Sequence, residues 1–187
     1  MRIISGIFRN KKLYFPKNLK TRPLKDSVKE NIFNILKHSK KFDIKIKNSN
    51  VIDLFAGTGS FGIECISREA SKVLFIENDS EALNSLKNNI KNLKVENKAV
   101  IKSSDALKFF FHEIIEEKFD LIFLDPPYLN KNYIGLFDLM KKKRIFNKKH
   151  VVVVHREKNT KENLDQYLKI FQSKTYGRSR IFFGSFF

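Results

Sequence analysis

Val51-Ile-Asp-Leu-Phe-Ala-Gly-Thr-Gly-Ser60 is the stretch that decides the fold. Its first five residues are almost wholly apolar, as a strand covered on both faces must be. Gly57 and Gly59 then let the backbone turn tightly and approach a ligand where a Cβ would intrude. An apolar helical pattern over 61–69 follows at once. The free amides and positive dipole end of that helix face the space above the strand, where a pyrophosphate or a carboxylate can sit. Downstream the alternation continues: a strand over 72–77 (KVLFIE) and a helix over 80–93 with Leu83, Leu86 and Ile90 on one face. A strand over 99–101, a helix over 106–116 and a strand over 119–124 (FDLIFL) come next. A helix near 133–143, a strand over 151–155 (VVVVH), a helix carrying Leu164, Tyr167, Leu168 and Phe171, and two strands near 170–176 and 180–186 complete the pattern. Such alternation predicts an α/β fold, a mostly parallel sheet with helices on both faces. Ligands bind such sheets outside the carboxyl ends of the strands, so the loops after the first four strands are where function should lie.

Upstream of residue 48 the character changes. Residues 1–20 alternate short apolar pieces (Ile3-Ile4, Ile7-Phe8, Leu13-Tyr14-Phe15) with basic residues, and Ser5-Gly6 and Arg9-Asn10 favour turns. This predicts a small hairpin or an irregular arm. Asp26 is a candidate helix N-cap, and Val28, Ile32, Ile35 and Leu36 then repeat at the spacing of one helical face. Residues 39–50 (SKKFDIKIKNSN) read as a polar linker. The expected division is a basic N-terminal extension over 1–47 and a second domain over 48–187.

Charge points to the partner. The chain has 37 basic and 20 acidic residues, and residues 1–47 alone hold 14 basic and 3 acidic ones. An excess of +17 favours a polyanion, nucleic acid ahead of an anionic membrane surface. Codon bias toward Lys explains part of it, since 29 of the 37 basic residues are Lys, but not the concentration near the N-terminus. Lys11, Lys12, Lys20, Arg22 and Lys25 are the candidates for gripping a nucleic-acid backbone. No stretch approaches the ~20 apolar residues of a membrane span. The first 15 residues lack an apolar h-region and a cleavage site, so no signal peptide is read. The single cysteine, Cys65, suits a reducing compartment and lies in an apolar helical pattern, where packing is its expected role. A cytoplasmic monomer is expected. His38, His112, His150 and His155 show no metal-ligand spacing, and no metal is expected.

Three acids stand at successive strand ends. Asp53 opens the glycine loop, Glu77 ends the second strand 18 residues after Gly59, and Asp105 follows the third. An acid at the position of Glu77 can accept from both hydroxyls of a ribose, and one at Asp105 from an adenine amino group. Each alone is equally a helix cap or a solvated turn. The candidate cofactor contacts are Asp53, Phe55, Ala56, Gly57 and Gly59, then Glu77 and Asn78, then Asp105 and Ala106. Gly57, Gly59 and Gly62 also fit the dinucleotide fingerprint G-x-G-x-x-G, so a nicotinamide enzyme competes at this point. Asp53 argues for a ligand with a charged amino group, because a carboxylate there repels a pyrophosphate.

The fourth strand runs into Asp125-Pro126-Pro127-Tyr128. Two prolines fix the backbone and withdraw two amide donors, leaving a carboxylate followed by rigid carbonyls. That is an acceptor array for an NH2 group, and Tyr128 adds a ring on which a base can stack. An exocyclic amine delocalises its lone pair into its ring. Acceptors on Asp125 and the Pro126 carbonyl favour a pyramidal nitrogen whose lone pair is free to attack a methyl group, a task of positioning and electrostatics. The bland alternative is a surface turn.

D-P-P-Y after the fourth strand resembles the motif of amino-group methyltransferases acting on nucleic acids. Taken with Arg2-Ile-Ile-Ser-Gly6, Arg22-Pro23, Asp26-Ser-Val-Lys-Glu30, Phe33-Asn34 and the 53–60 loop, the chain resembles bacterial 16S rRNA guanine-N2 methyltransferases of the small-subunit type over nearly its whole length. The resemblance implies a seven-stranded class I methyltransferase (Rossmann-like) sheet, S-adenosylmethionine as cofactor, and an assembled or assembling 30S particle as substrate. It also implies a guanine amino group as acceptor and a place for Arg22 near the target nucleotide. Asp125, Pro126 and Tyr128 would hold the amine. Alternatives are a DNA adenine or cytosine amino-methyltransferase, a protein-glutamine methyltransferase, and a non-catalytic RNA-binding module on the same fold.

Overall fold

The computed structural model describes residues 1–16, 24–128 and 130–187. Seven strands form one sheet: β1 (Asn50–Leu54), β2 (Lys72–Glu77), β3 (Ala99–Ser103), β4 (Phe119–Leu124), β5 (Phe146–Glu157), β6 (Lys169–Tyr176) and β7 (Ser179–Ser185). Their spatial order is β3-β2-β1-β4-β5-β7-β6. The first five strands pair in parallel, and β7 is antiparallel to both of its neighbours. The expected α/β class is therefore present, with its C-terminal strands antiparallel.

Strand alternation divides the core. Val51, Phe75, Leu121, Phe123, Val151, Val153, Ile181 and Phe183 face one side, where α1 (Asp26–His38), α2 (Ser60–Ser67) and α3 (Ser80–Leu93) pack. Ile52, Leu54, Ile122, Leu124, Val152, Val154 and Phe182 face the other, covered by α4 (Ala106–His112) and α5 (Gly135–Lys143). Phe61 of α2 stacks on Phe123 of β4 at 3.8 Å and on Phe33 of α1 at 5.0 Å, a column running from the sheet outward. Cys65 is fully buried in this layer, and burial pushes its thiol well above the ordinary value, as a packing role requires.

Several boundaries differ from the sequence reading. Asp26 is the first residue of α1 rather than its cap; Lys25 holds the cap position without a side-chain bond. The helix after β3 stops at His112, not near 116. Beyond it Ile114 is 89% exposed and only Ile115 touches the core, while Glu113, Glu116 and Glu117 oppose the negative end of the helix dipole. The helix expected around Leu164–Phe171 reduces to a single 3-10 turn, Leu164–Gln166. Leu164 and Leu168 anchor that turn in the second core layer, and the sheet takes Phe171. The strand expected at 151–155 extends from Phe146 to Glu157.

The N-terminal residues form a hairpin-like arm with one antiparallel bridge, Arg2 to Lys12. A buried polar hub fastens it to α2. Glu64, fully buried, accepts from the backbone amides of Ile4 (2.7 Å) and Ser5 (3.0 Å) and from Arg68 Nε (2.8 Å). Lys29, equally buried, donates from Nζ to the Arg2 carbonyl (2.8 Å) and Ser60 Oγ (3.0 Å) and lies 3.9 Å from Glu64. Burial lowers the Lys29 pKa, while Glu64 and Asp26 oppose that shift. Gly6, at φ +86°, passes so close to α2 that a Cβ would lie 1.8 Å from the Ser67 carbonyl oxygen. Removing one partner of a buried charge network costs about 3–5 kcal/mol. Glu64→Leu is therefore expected to lose stability on that scale, read as a lower urea midpoint at unchanged denaturant slope.

Candidate active site

The parallel strands end together, and their carboxyl edge gathers the acids picked out by sequence. Asp53 is 1% exposed and faces α2, where its Oδ2 accepts the Gly62 amide at 2.8 Å. Gly59, the N-cap of α2, makes no side-chain cap bond, so the Asp53 carboxylate supplies an acceptor for the first turn. Burial pushes the Asp53 carboxyl well above the usual carboxylate range; the Gly62 bond opposes this, and the charges of Asp125 and Glu77 add to it. Glu77 Oε2 accepts from the Gly57 amide at 2.6 Å, and Oε1 accepts from Asn78 (2.8 Å) and Asp79 (2.9 Å). The end of β2 thus holds the glycine loop from the side. Asp105 caps α4, its Oδ1 accepting from Leu107 (3.0 Å) and Lys108 (3.1 Å). Among the described residues, none of the ion pairs involves Asp53, Glu77 or Asp105.

The glycines of the loop separate by role. Gly57, at φ +57°, has no atom within 4 Å of where a Cβ would stand, so its missing side chain leaves open space above the sheet. A Cβ on Gly59 (φ +84°) would lie 2.4 Å from Leu86 Cδ1, and one on Gly62 would lie 2.3 Å from the Phe75 ring. Those two serve packing against α3 and β2. Phe55 also has a positive φ, +62°, as the chain leaves β1, and Ala56 donates its amide to the Ile76 carbonyl.

Around D-P-P-Y the structure adds two residues that sequence reasoning passed over. Leu124 pairs with Val154, so His155 and Arg156 of β5 lie alongside Asp125 and Pro126. His155 Nδ1 is 2.7 Å from Asp125 Oδ1, and Tyr128 meets the His155 ring edge-on at 6.1 Å. Arg156, only 2% exposed, points to the opposite face. There its Nη1 donates to the carbonyls of Pro126 (3.1 Å) and Pro127 (3.2 Å) and its Nη2 to that of Tyr128 (3.1 Å). Glu162 balances its charge at 2.7 Å, and the guanidinium lies 4.6 Å over the Tyr133 ring. Burial pushes the Tyr133 phenol up to about 12, with Arg156 opposing. The Pro126 carbonyl read as an acceptor for an amine therefore already gives one of its two lone pairs to Arg156. The available signal was two polar residues, His155 and Arg156, closing the apolar run VVVV beside the D-P-P-Y strand.

Lys11, Lys12 and Lys25 are exposed, whereas Lys20 and Arg22 lie outside the described residues. Among the described residues no three His, Cys, Asp or Glu side chains form a group able to hold a metal, and no helix is long and apolar enough to cross a membrane.

The strand order, the glycine loop and the acids at successive strand ends define a class I methyltransferase fold. The family model described as "Conserved hypothetical protein 95" matches residues 1–185, and the chain belongs to that family. It is similar to "Ribosomal RNA small subunit methyltransferase D" of Haemophilus influenzae, 39% identical over 129 residues that cover 68% of this chain and 64% of that protein. It is also similar to "Putative rRNA methyltransferase YlbH" of Bacillus subtilis, 32% identical over 95% of this chain and 94% of that protein. Among solved structures, "Putative methyltransferase yhhF" from Escherichia coli superposes with a TM-score of 0.83 at 26% identity, covering 100% of this chain and 97% of that one.

Arg156→Leu strips the donors from three carbonyls and leaves Glu162 unpaired. Each buried acceptor left without a partner costs on the order of 1–3 kcal/mol. The variant is expected to unfold at clearly lower urea, with Arg156→Lys in between because an ammonium cannot span the same carbonyls and carboxylate.

Proposed function

We propose that this protein transfers a methyl group from S-adenosylmethionine to the exocyclic N2 amine of a guanine in 16S rRNA, in an assembled or assembling 30S particle. One observation carries the cofactor reading. In a chain with 37 basic residues, Asp53, Glu77 and Asp105 gather at one sheet edge and take backbone amides rather than cations as partners. Such an edge suits a ligand with a cationic amino group and a sulfonium. The open space over Gly57 fits the same ligand, since any Cβ there would occupy it. S-adenosylmethionine, when bound, supplies an electrophilic methyl group on sulfur. Phe55, Ala56, Gly57 and Gly59 would line it, Asp53 would face its amino group, Glu77 and Asn78 its ribose, and Asp105 and Ala106 its adenine.

Asp125 and the remaining lone pair of the Pro126 carbonyl would accept from the target amine and leave the nitrogen lone pair free to attack. The carboxylate of Asp125 can also take the proton that the methylated nitrogen sheds. Tyr128, half-buried against His155, offers its ring to the base. The names of the two relatives support rRNA as the substrate class. So does the basic extension over 1–47, where Lys11, Lys12, Lys20, Arg22 and Lys25 would contact phosphates. With so few residues available to read a sequence, selection would rest on RNA shape and a splayed-out base.

Gly57→Val should remain folded yet lose S-adenosylmethionine binding; unchanged affinity by calorimetry removes the cofactor assignment. Asp125→Ala should keep that affinity within a few-fold while turnover falls by roughly 10²-fold or more, the scale of one positioned electrostatic group.

The substrate is tested separately, by methyl transfer to 30S particles, to protein-free 16S rRNA and to duplex DNA. Transfer to ribosomal RNA should dominate, and mass spectrometry of the nucleosides should find N2-methylguanosine. Efficient transfer to duplex DNA alone would instead establish a DNA enzyme. Neutralising each of the five basic residues should flatten the salt dependence of RNA binding by about 0.7–0.9 in log–log slope per lost contact.

A further inference from the structure

We propose that His155 is a positioning residue for Asp125: its Nδ1–H holds one carboxylate oxygen so that the other is presented to the target amine. The inference rests on the reading of Asp125 as the amine's acceptor and adds a residue to it.

The placement follows from the sheet. The parallel register of Leu124 with Val154 brings residues 125 and 155 side by side, and strand alternation points both side chains to the face of the sheet that carries α2. The contact is short, 2.7 Å from Nδ1 to Oδ1. A carboxylate accepts, so Nδ1 carries the hydrogen and donates it to Asp125. The two side chains are unequally open, 7% for His155 and 22% for Asp125. The ring is enclosed, and the carboxylate is the group that reaches the surface of the site.

His155 lacks the partners of a structural histidine. His150, lower on the same strand, uses both ring nitrogens: Nδ1 is 2.7 Å from the Asn147 carbonyl, and Nε2 accepts the Phe186 amide at 2.9 Å. That pattern ties β5 to the end of the sheet. His155 Nε2, by contrast, is buried and has no hydrogen-bond partner among the described residues. A buried polar atom left alone is costly, and an apolar side chain in this place would avoid the cost. What histidine supplies here is the one bond it makes, to Asp125. Tyr128 closes on the ring edge-on at 77°, and Arg156 clamps the backbone that follows Asp125. The carboxylate is thereby held from its side chain and from its main chain.

A positioning role predicts a specific split. Losing the hydrogen bond frees Asp125 to rotate, and misplacement by about 1 Å can cost on the order of 10²-fold in rate. His155→Leu should thus lower kcat by roughly 10-fold or more, at unchanged KM for the RNA and unchanged S-adenosylmethionine affinity by calorimetry. His155→Asn should restore kcat to within a few-fold of wild type, because its amide nitrogen can stand where Nδ1 stands. His155→Gln, whose amide reaches the place of Nε2, should not. A urea midpoint for each variant separates a kinetic loss from unfolding. Independently of turnover, 15N spectra of the imidazole should show a hydrogen on Nδ1 in a strong hydrogen bond, a signature that Asp125→Ala should abolish.

An Asn variant as slow as the Leu variant, a Leu variant with full turnover, or a wild-type ring with no hydrogen on Nδ1 would each overturn the proposal. Absence of methyl transfer by the wild-type protein overturns the function proposed above; the ring spectra then decide the His155–Asp125 pair by themselves.

Discussion

A guanidinium enclosed in the protein needs acceptors on every side, and a Pro-Pro turn has carbonyls to offer and no amides. Arg156 and the 126–128 backbone answer each other's need. Five N–H donors in a planar fork reach three successive carbonyls and the carboxylate of Glu162, and the flat cation rests on Tyr133. Lysine has neither the reach nor the geometry for this. The clamp comes from the strand next to Asp125, so the loop carrying the proposed amine acceptors is held rigid from the sheet itself. The preorganisation that the proposed amine methylation requires is in this way a property of β5 as much as of β4.

A second polar hub secures the other side of the site. Glu64 and Lys29 connect the arm, α1 and α2, the helix that starts at the glycine loop. Asn89 of α3 continues the connection, exchanging hydrogen bonds with both backbone groups of Tyr14 and donating to the Thr58 carbonyl within the loop. The N-terminal arm is therefore part of the support of the loop, and its exposed Lys11 and Lys12 stand on a fixed base rather than on a free tail.

Much of this was legible in the residues. The limits of β2, α3 and β4 were readable because each is an apolar run or stripe ended by its own signal, such as the Asp79 cap that accepts the Ala82 amide at 2.8 Å. The acids and glycines at the strand ends were readable because each directly follows an apolar run, where a polar or turn-forming residue stands out. What escaped depends on distant partners. The length of α4 is set by the lack of anything to cover Ile114, and the apolar stripe from Leu164 to Phe171 is divided between a core anchor and a strand. Gly62 fits a dinucleotide fingerprint in sequence, yet it is the approach of the Phe75 ring that leaves no room for a Cβ there, and Leu86 crowds Gly59 likewise. His155 and Arg156 were read as the end of a strand because their partners lie 30 residues away.

The sheet order has a consequence for how the molecule is made. β7 emerges from a ribosome after β6 but lies between β5 and β6, and its Ile181 and Arg180 pair with His155 and Arg156. Until that strand has been synthesised and has inserted, one edge of β5 offers unpaired backbone groups at the very residues that brace the Asp125 loop. Such an edge is a template for wrong pairing, and it runs past the arginine whose side chain clamps residues 126–128. A nascent chain thus carries this association-prone edge beside the Asp125 loop until a single late insertion covers it on both sides.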